Sequence, residues 1–183
     1  MISFIPPLSR NTVGVIVNKE AISMGLVHEH SVIQTWDHHF MVHNLIILNA
    51  TRMQKHITAF LAQHNAHHAR IIFVFAGDQV HESIETPSDK PKLLDNYSYD
   101  TIQLSADTWY TASLHKSIIF QYQLLAHMLQ LQLVAITTAH LAHYYSLSHN
   151  EHSIKTLEEF HHCCAHATPQ TIIQGLHRYE KFF

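Results

Sequence analysis

The 183-residue sequence predicts a single α/β domain in which a mixed sheet opens with a three-strand meander and carries helices on both faces. Three short β-type segments follow one another near the N-terminus, and helix–strand units come after them. A strand–helix–strand succession implies a right-handed crossover between parallel strands. Because 46% of the residues are hydrophobic, a chain of this length can bury one good core, so residues 1–183 are predicted to form one domain.

The opening meander is predicted from alternating side chains and from the turns between them. Valine recurs at every second position in the segment Thr12–Asn18, and Ala21–Val27 alternates in the same way. Side chains two residues apart lie on one face of a strand, so each segment can turn one apolar face to a core. After the polar turn at Glu29-His30, Ser31–Trp36 is the third predicted strand.

A long helix and a buried strand are predicted next. We expect Asn44 to cap a helix that runs to about Asn65, because apolar residues recur along one side of this stretch. Ile71–Phe75 is a continuous apolar run, which is typical of a strand covered on both faces. Val80–Thr86 is predicted as a further strand that ends before Pro87.

The second half of the chain is predicted to hold a strand pair and then alternating helices and strands. Residues 88–99, rich in Pro and Asp, are the predicted loop before it, and Ala106-Asp107 is the turn within the pair. We expect Thr137 or Thr138 to cap the helix that ends near Ser146. The strand pair is Thr101–Leu104 and Trp109–Leu114, followed by the helix Lys116–Gln130 and the strand Leu131–Ile136. Residues 153–183 are predicted to hold two C-terminal helices, Ser153–Ala165, with Ser153 as its cap, and Pro169–Tyr179, with Pro169 at its start.

This predicted order of elements resembles that of the actin-like and ribonuclease H-like folds. Enzymes of that class hold Mg²⁺ or nucleotide with an acidic residue on the first strand. Here the first strand and its turn read Val13-Gly14-Val15-Ile16-Val17-Asn18-Lys19, with neither an Asp nor a Gly-rich loop. The missing groups favour a non-enzymatic binding protein, for which we expect no catalytic residues and no cofactor.

Several segments resemble the PilM family of type IV pilus assembly proteins, which includes HofM and is related to the cytoplasmic part of GspL of type II secretion. They are Trp109–Lys116, Gln123–Ala126 and Val134–Ala142, with weaker likeness in Phe73–Val80, Glu85–Pro87, and the tail from Thr168 to Leu176. The resemblance implies an actin-like fold. Since 183 residues leave no room for a second actin-like half, it implies about half of that fold, without its nucleotide site.

The partner implied by the resemblance is the cytoplasmic N-terminal tail of a PilN-like inner-membrane protein. The chain would then be a bacterial cytoplasmic protein, peripheral at the inner membrane through that partner. An extended peptide lying in a groove between sheet and helix suits this role. We expect the groove near Val80, Ile84, Trp109 and Tyr110. Whether the chain forms a homodimer is left open.

Composition limits the other function classes. A formal net charge of −3 argues against nucleic-acid binding, because a nucleic-acid binder needs a basic surface. No apolar stretch reaches the roughly 18 residues that would span a bilayer. The N-terminus does not resemble a signal peptide, and the adjacent Cys163 and Cys164 do not form a disulfide framework, which favours a reducing compartment. We expect one of these cysteines to be buried and the other to be exposed.

Two alternatives to a scaffold stay open. Twenty histidines suggest metal binding, and the best local cluster contains His162, Cys163 and His166, because a helix places residues four apart on one face. Paired histidines are, however, barely more frequent than this composition gives by chance. The second alternative is a ribonuclease H-like, Mg²⁺-dependent nuclease or phosphotransferase, which needs clustered carboxylates. Its candidate acids are Asp37, Asp78, Asp100 and Asp107.

Overall fold

The computed structural model describes residues 11–19, 21–28, 33–37, 40–86, 94–147 and 156–179. The strands in these ranges are β1 (Thr12–Val17), β2 (Ala21–Leu26), β3 (Ile33–Asp37), β4 (Val42–His43), β5 (Ile46–Ile47), β6 (Arg70–Phe75), β7 (His81–Glu85), β8 (Tyr97–Ser105), β9 (Thr108–His115) and β10 (Gln132–Thr138). The helices are α1 (Ala50–Gln63), α2 (Lys116–Met128), α3 (Ala139–Ser146), α4 (Leu157–Cys163) and α5 (Pro169–Tyr179). None of these helices is long and apolar enough to cross a membrane.

A mixed five-stranded sheet in the order β10-β6-β1-β2-β3 forms the centre of the fold. Strand β1 pairs antiparallel with β2, and β2 pairs antiparallel with β3, which gives the predicted meander. On the other side β1 pairs parallel with β6, and β6 pairs parallel with β10. The predicted class, a mixed α/β fold built on a mixed sheet, is therefore confirmed.

Helices cover both faces of this sheet because its central strands are apolar on both sides. Val13, Val15 and Val17 of β1 belong to the core cluster that also contains buried residues of α1 and α2. The side chain of Ile16 points to the other face of the sheet and belongs to a second core cluster, which contains residues of α3, α4 and α5. Gly14 lies on this second face, where a Cβ atom would come within 2.7 Å of side-chain atoms of α5. Its missing side chain lets α5 lie close to β1.

A second, antiparallel sheet in the order β7-β9-β8 stands beside the first. The hairpin of β8 and β9 turns at Ala106-Asp107, as predicted. Strand β8 starts at Tyr97, so the last three residues of the predicted loop 88–99 are strand instead. Tyr97 pairs with His115, and this long-range register extends the strand into a polar stretch that its own sequence marks as loop. Residues 88–93 lie outside the described part of the chain.

The predicted start of the first helix at Asn44 is wrong. Residues Val42–Ile47 form the β4–β5 hairpin, and α1 begins at Ala50. Asn44 and Leu45 both have positive φ, 47° and 64°, as the two central residues of a type I′ hairpin turn require. The cap is Asn49, whose side-chain oxygen accepts a hydrogen bond from the Arg52 N–H.

The remaining boundaries agree closely with the sequence prediction, with one exception. Thr138 caps α3, and α5 spans Pro169–Tyr179 as predicted. Helix α4, however, begins at Leu157 with Thr156 as its cap, whereas Ser153, the predicted cap, lies outside the described residues. Thr156 and Glu159 form a reciprocal capping box, so the helix start is fixed by two hydrogen bonds.

Candidate functional site

A cleft lies between the edge of the central sheet and the second sheet. Its volume is about 420 Å³. One wall is β10, the other is formed by β8 and β9, and side chains of α2 contribute to the lining. The principal lining residues are Leu133–Thr138, Ser98–Asp100, Ala112–Leu114, Ile119 and Gln123. The cleft is therefore bounded by strands on two sides.

Strand β10 is an edge strand in the described structure. The sheet pairs it on one side only, with β6, and six consecutive residues, Leu133–Thr138, line the cleft on its other side. Four of these, Leu133–Ile136, are half-buried. An edge strand presents a row of backbone N–H and C=O groups, to which another extended chain can pair. The register of β10 on β6 is interrupted at Val134, where a bulge changes the direction of this edge.

Thr137 and Asp100 are two of the polar residues in the mostly apolar lining of the cleft. Thr137 is 4% exposed and lines it, and its hydroxyl oxygen has no hydrogen-bond partner among the described residues. A buried hydroxyl without a partner costs free energy, which a ligand group in the cleft would recover. Asp100 on β8 is exposed and places a carboxylate in the lining. The cleft thus suits an apolar, extended ligand that carries a donor group and a positive charge.

Of the four residues predicted to lie near a peptide groove, the structure places one in the cleft. Val80 lines it, immediately before β7. Ile84 and Tyr110 are register partners in the second sheet, and Tyr110 is fully buried in the second core cluster. Trp109 is half-buried, and strand alternation puts it on the opposite face from Tyr110. Whether any of these four binds a partner stays a prediction.

Among the described residues, the carboxylate of Glu82 on β7, whose side chain is 9% exposed, accepts hydrogen bonds from three side chains. The Tyr110 hydroxyl donates to Glu82 Oε1. His140 Nδ1, at the start of α3, lies 2.8 Å from Glu82 Oε2, and His161 Nε2, on α4, also lies 2.8 Å from Oε2. Because an ionised carboxylate only accepts hydrogen bonds, both ring nitrogens carry the proton.

This network changes the acidity of its buried members. Burial alone would raise the pKa of Glu82, but hydrogen bonds from His140 and Tyr110 and the charge of His140 bring the pKa below its usual value. Burial, followed by the neighbouring Glu82 charge, raises the pKa of Tyr110. Burial and the neighbouring Cys163 raise the pKa of the Cys164 thiol to about 12. Glu82 is therefore ionised and Tyr110 and Cys164 are neutral at pH 7.

The histidine cluster suggested by the sequence is not the one that the fold assembles. His162 and His166 are exposed near the end of α4, and Cys163 is half-buried. Among the described residues, the one group of three possible metal ligands is Glu82, His140 and His161, whose ligand atoms all lie within 4.8 Å of one another. These three come from three distant segments, so no local spacing in the sequence indicates them.

The acids of the nuclease alternative are dispersed. Asp37 ends β3, Asp78 follows β6, Asp100 lies on β8 and Asp107 is in the β8–β9 turn. None of them belongs to a group of three possible metal ligands in the described part of the chain. The arrangement gives no support to a two-metal carboxylate site.

An apolar stripe is exposed on α2. Phe120, Leu124 and Met128 follow one another at four-residue spacing, and they are 64%, 49% and 41% exposed. Residues four apart lie on one helix face, so the three side chains form a continuous surface. Ile119 and Gln123 of the same helix line the cleft beside it. The helix thus borders the cleft with one side and presents an apolar surface with another.

Comparison with known proteins gives a likeness of fold. No family model and no curated protein matches the sequence. The structure is similar to the cytoplasmic domain of EpsL, an inner membrane component of the type II secretion system of Vibrio cholerae, with a TM-score of 0.51 and 8% sequence identity. The match covers 78% of this chain and 59% of that one. The chain therefore corresponds to less than two thirds of the EpsL chain, and at this identity the likeness shows the fold alone.

Proposed function

We propose that the protein is a non-enzymatic scaffold of a secretion or pilus-assembly machine and that it binds an extended segment of an inner-membrane partner in the cleft beside β10. The observation that carries this proposal is the edge of β10, six residues of which border an apolar cleft of about 420 Å³. The bound segment would add a strand to the central sheet. Main-chain hydrogen bonds would supply much of the affinity, and the apolar lining would select its side chains.

The likeness to the cytoplasmic domain of an inner membrane component supports the proposed location of this scaffold at the inner face of the membrane. It agrees in fold with the predicted relation to the PilM and GspL proteins, whose actin-like architecture this chain would share in part. In this proposal the occupant is the cytoplasmic tail of a PilN-like protein, and the chain is held at the inner face of the membrane through that tail. The exposed stripe on α2 would provide a second contact surface, because exposed apolar patches commonly mark interaction sites.

The first strand supports a binding role over catalysis. In the actin-like and ribonuclease H-like enzymes this strand carries an acid, whereas β1 here reads Thr-Val-Gly-Val-Ile-Val and is followed by Asn18. The Asn18 side chain accepts a hydrogen bond from the Ala21 N–H at 2.7 Å, so it closes the β1–β2 turn. A residue that holds this turn replaces one that would hold a phosphate or metal.

The test is a calorimetric titration of the protein with the N-terminal cytoplasmic peptide of a PilN-like pilus or secretion membrane protein. We expect saturable one-to-one binding with a micromolar Kd that Mg-ATP does not change. The variant Ser98→Trp places a bulky ring in the cleft from an exposed position on β8, so binding should weaken by at least about tenfold. The matched control is Gln103→Trp, which is exposed on the same strand outside the cleft lining.

Two results would overturn the proposal. If the peptide gives no saturable heat with the unmodified protein, the partner assignment is wrong. If Ser98→Trp and Gln103→Trp bind the peptide as tightly as the unmodified protein does, the cleft is not its site. Circular dichroism of both variants establishes that each remains folded before the titrations are compared.

A further inference from the structure

We propose that Glu82, His140 and His161 form a zinc site. Each residue offers one ligand atom, and these atoms, Oε2 of the carboxylate, Nδ1 of His140 and Nε2 of His161, lie within 4.8 Å of one another. Two imidazoles and one carboxylate are a ligand set that proteins use for Zn²⁺ with a fourth position open to water or substrate. The site is independent of the cleft and of the scaffold role proposed above.

The spacing of the ligand atoms suits an ion with small adjustment. Each histidine nitrogen lies 2.8 Å from Glu82 Oε2, and the two imidazole centroids are 4.6 Å apart. In tetrahedral coordination with bonds of about 2.0–2.2 Å, ligand atoms stand about 3.3–3.5 Å apart. The histidines would therefore withdraw by roughly half an ångström as the ion replaces the two hydrogen bonds. Their side chains, 37% and 42% exposed, have room to do so.

The surroundings hold the carboxylate in the orientation that the site needs. The Tyr110 hydroxyl donates to Oε1, which leaves Oε2 directed at both histidines. Because the Tyr110 hydroxyl donates its hydrogen bond to Glu82, the Tyr110 oxygen accepts one from the Thr138 hydroxyl at 3.0 Å. Thr138 in turn caps α3, the helix that carries His140. Outer hydrogen bonds of this kind fix ligand orientation in metal sites. Phe160 packs against the Tyr110 ring with a centroid separation of 4.5 Å.

The charge balance also favours a cation. Glu82 is 9% exposed, and its three hydrogen-bond donors are a phenol and two histidines, which are charged only when protonated. A buried carboxylate is stabilised by a permanent positive charge, which Zn²⁺ would supply. Coordination requires ring nitrogens without a proton, so Nδ1 of His140 and Nε2 of His161 would give up the protons that they direct at Glu82, which a neutral imidazole does by moving its proton to the other ring nitrogen.

Zinc binding would also link three elements. Glu82 lies on β7 of the second sheet, His140 on α3 and His161 on α4. A ligand that binds the folded form and not the unfolded form raises stability by mass action. We therefore expect the melting temperature of the protein to rise with zinc concentration.

The experiment uses untagged protein that has been treated with a chelator and dialysed. We expect isothermal titration with ZnCl₂ to show one tight site per chain. Co²⁺ in place of zinc should give the visible absorption of a tetrahedral site without the charge-transfer band of a thiolate ligand. Circular dichroism confirms that the metal-free form is folded.

Variants identify the ligands. Glu82→Gln and His161→Ala should each weaken the tight site by at least about 100-fold, since even second-shell changes cost about 10–100-fold. His162→Ala is the matched control, because it removes an exposed histidine one residue from His161, and we expect it to leave the tight site unchanged. Thermal unfolding of each metal-free variant establishes that lost binding does not reflect lost folding.

Three outcomes would overturn the assignment. The first is the absence of any tight site in folded, metal-free protein. The second is equal weakening by His161→Ala and His162→Ala, which would point to diffuse binding by many histidines. The third is a thiolate charge-transfer band with Co²⁺ that Cys163→Ser abolishes, which would place the metal at the cluster of His162, Cys163 and His166.

Discussion

Tyr110 and Tyr122 are both fully buried, and they differ in what their hydroxyl groups contact. The Tyr110 hydroxyl joins Glu82 to Thr138. The Tyr122 hydroxyl has no hydrogen-bond partner among the described residues, while its ring packs against Phe73 and Phe75 with centroid separations of 4.9 and 4.6 Å. The two hydroxyl groups therefore differ in their surroundings: one lies in a polar network, and the other has no partner in the described part of the chain.

This difference predicts opposite outcomes for one substitution. Tyr110→Phe should lower the free energy of unfolding by about 1–3 kcal/mol, because it leaves a buried carboxylate and a buried threonine hydroxyl each without one partner. Tyr122→Phe should be neutral or stabilising, because it removes a polar atom that is buried without a partner. Urea unfolding of both variants measures the contrast, and equal losses would contradict it.

The two cysteines should react at very different rates. Cys164 is 1% exposed, its thiol donates to the His140 carbonyl oxygen at 3.4 Å, and its pKa is raised to about 12, chiefly by burial. Only the thiolate reacts with alkylating agents, so Cys164 should be inert at pH 8 until the protein unfolds. Iodoacetamide labelling read by mass spectrometry should show modification of Cys163 alone, and Cys163→Ser should abolish native labelling.

The contact between α3 and α5 rests on a missing side chain. A Cβ atom on Gly175 would lie 1.6 Å from the backbone oxygen of Ala142, so the two helices meet at a separation that only glycine permits here. A flexible side chain can change its rotamer to avoid such a clash, whereas the backbone oxygen of Ala142 cannot move without shifting the helix. At an exposed helix position the change from glycine to alanine stabilises a helix by about 1 kcal/mol, and here overpacking opposes that gain.

We therefore expect Gly175→Ala to destabilise the protein by about 2 kcal/mol or more, measured as a shift in the urea midpoint. Gln174→Ala, exposed on the same helix, should change stability by less than about 0.5 kcal/mol. Gly14→Ala should be less harmful than Gly175→Ala, because the atoms that its Cβ would meet are the side-chain ends of Ile173 and Leu176. A neutral Gly175→Ala variant would contradict the close contact.

The sequence predicts elements whose signal is local. The strands β1, β2 and β6 and the helices α2, α3 and α5 were predictable because side-chain periodicity and caps lie within each segment. The β4–β5 hairpin was not, because its apolar residues also fit a helical spacing and its turn uses a leucine with positive φ at position 45. Backbone strain of this kind is set by tertiary packing, and Leu45 is buried in the core.

The candidate sites depend on contacts that are distant in sequence. Glu82 and His161 are separated by 79 residues and meet only because α4 packs beside the second sheet. The cleft pairs β10 with β8 and β9, and of the predicted groove residues only Val80 lines it. A single sequence does not indicate which of its polar residues come into contact when they are distant along the chain and follow no periodic pattern.

At the scale of the whole molecule, the twenty histidines determine how charge responds to pH. The formal net charge is −3 with neutral histidines, and histidine ordinarily titrates near pH 6.5. The net charge should change sign near the sequence pI of about 6.7 and become strongly positive at pH 5.5. Electrophoretic mobility across pH 5.5–8 tests this, and we expect lowest solubility near the sign change. A mobility that stays negative at pH 5.5 would contradict it.

The position of the β10 edge affects how copies of the molecule meet. An exposed edge strand can pair with the edge strand of another molecule, and repeated pairing of this kind leads to aggregation. Here β8, β9 and α2 stand over the edge, and the bulge at Val134 breaks the regular spacing that a second sheet would need. These surroundings favour pairing with a single extended segment, as proposed above, over pairing with the sheet edge of a folded neighbour.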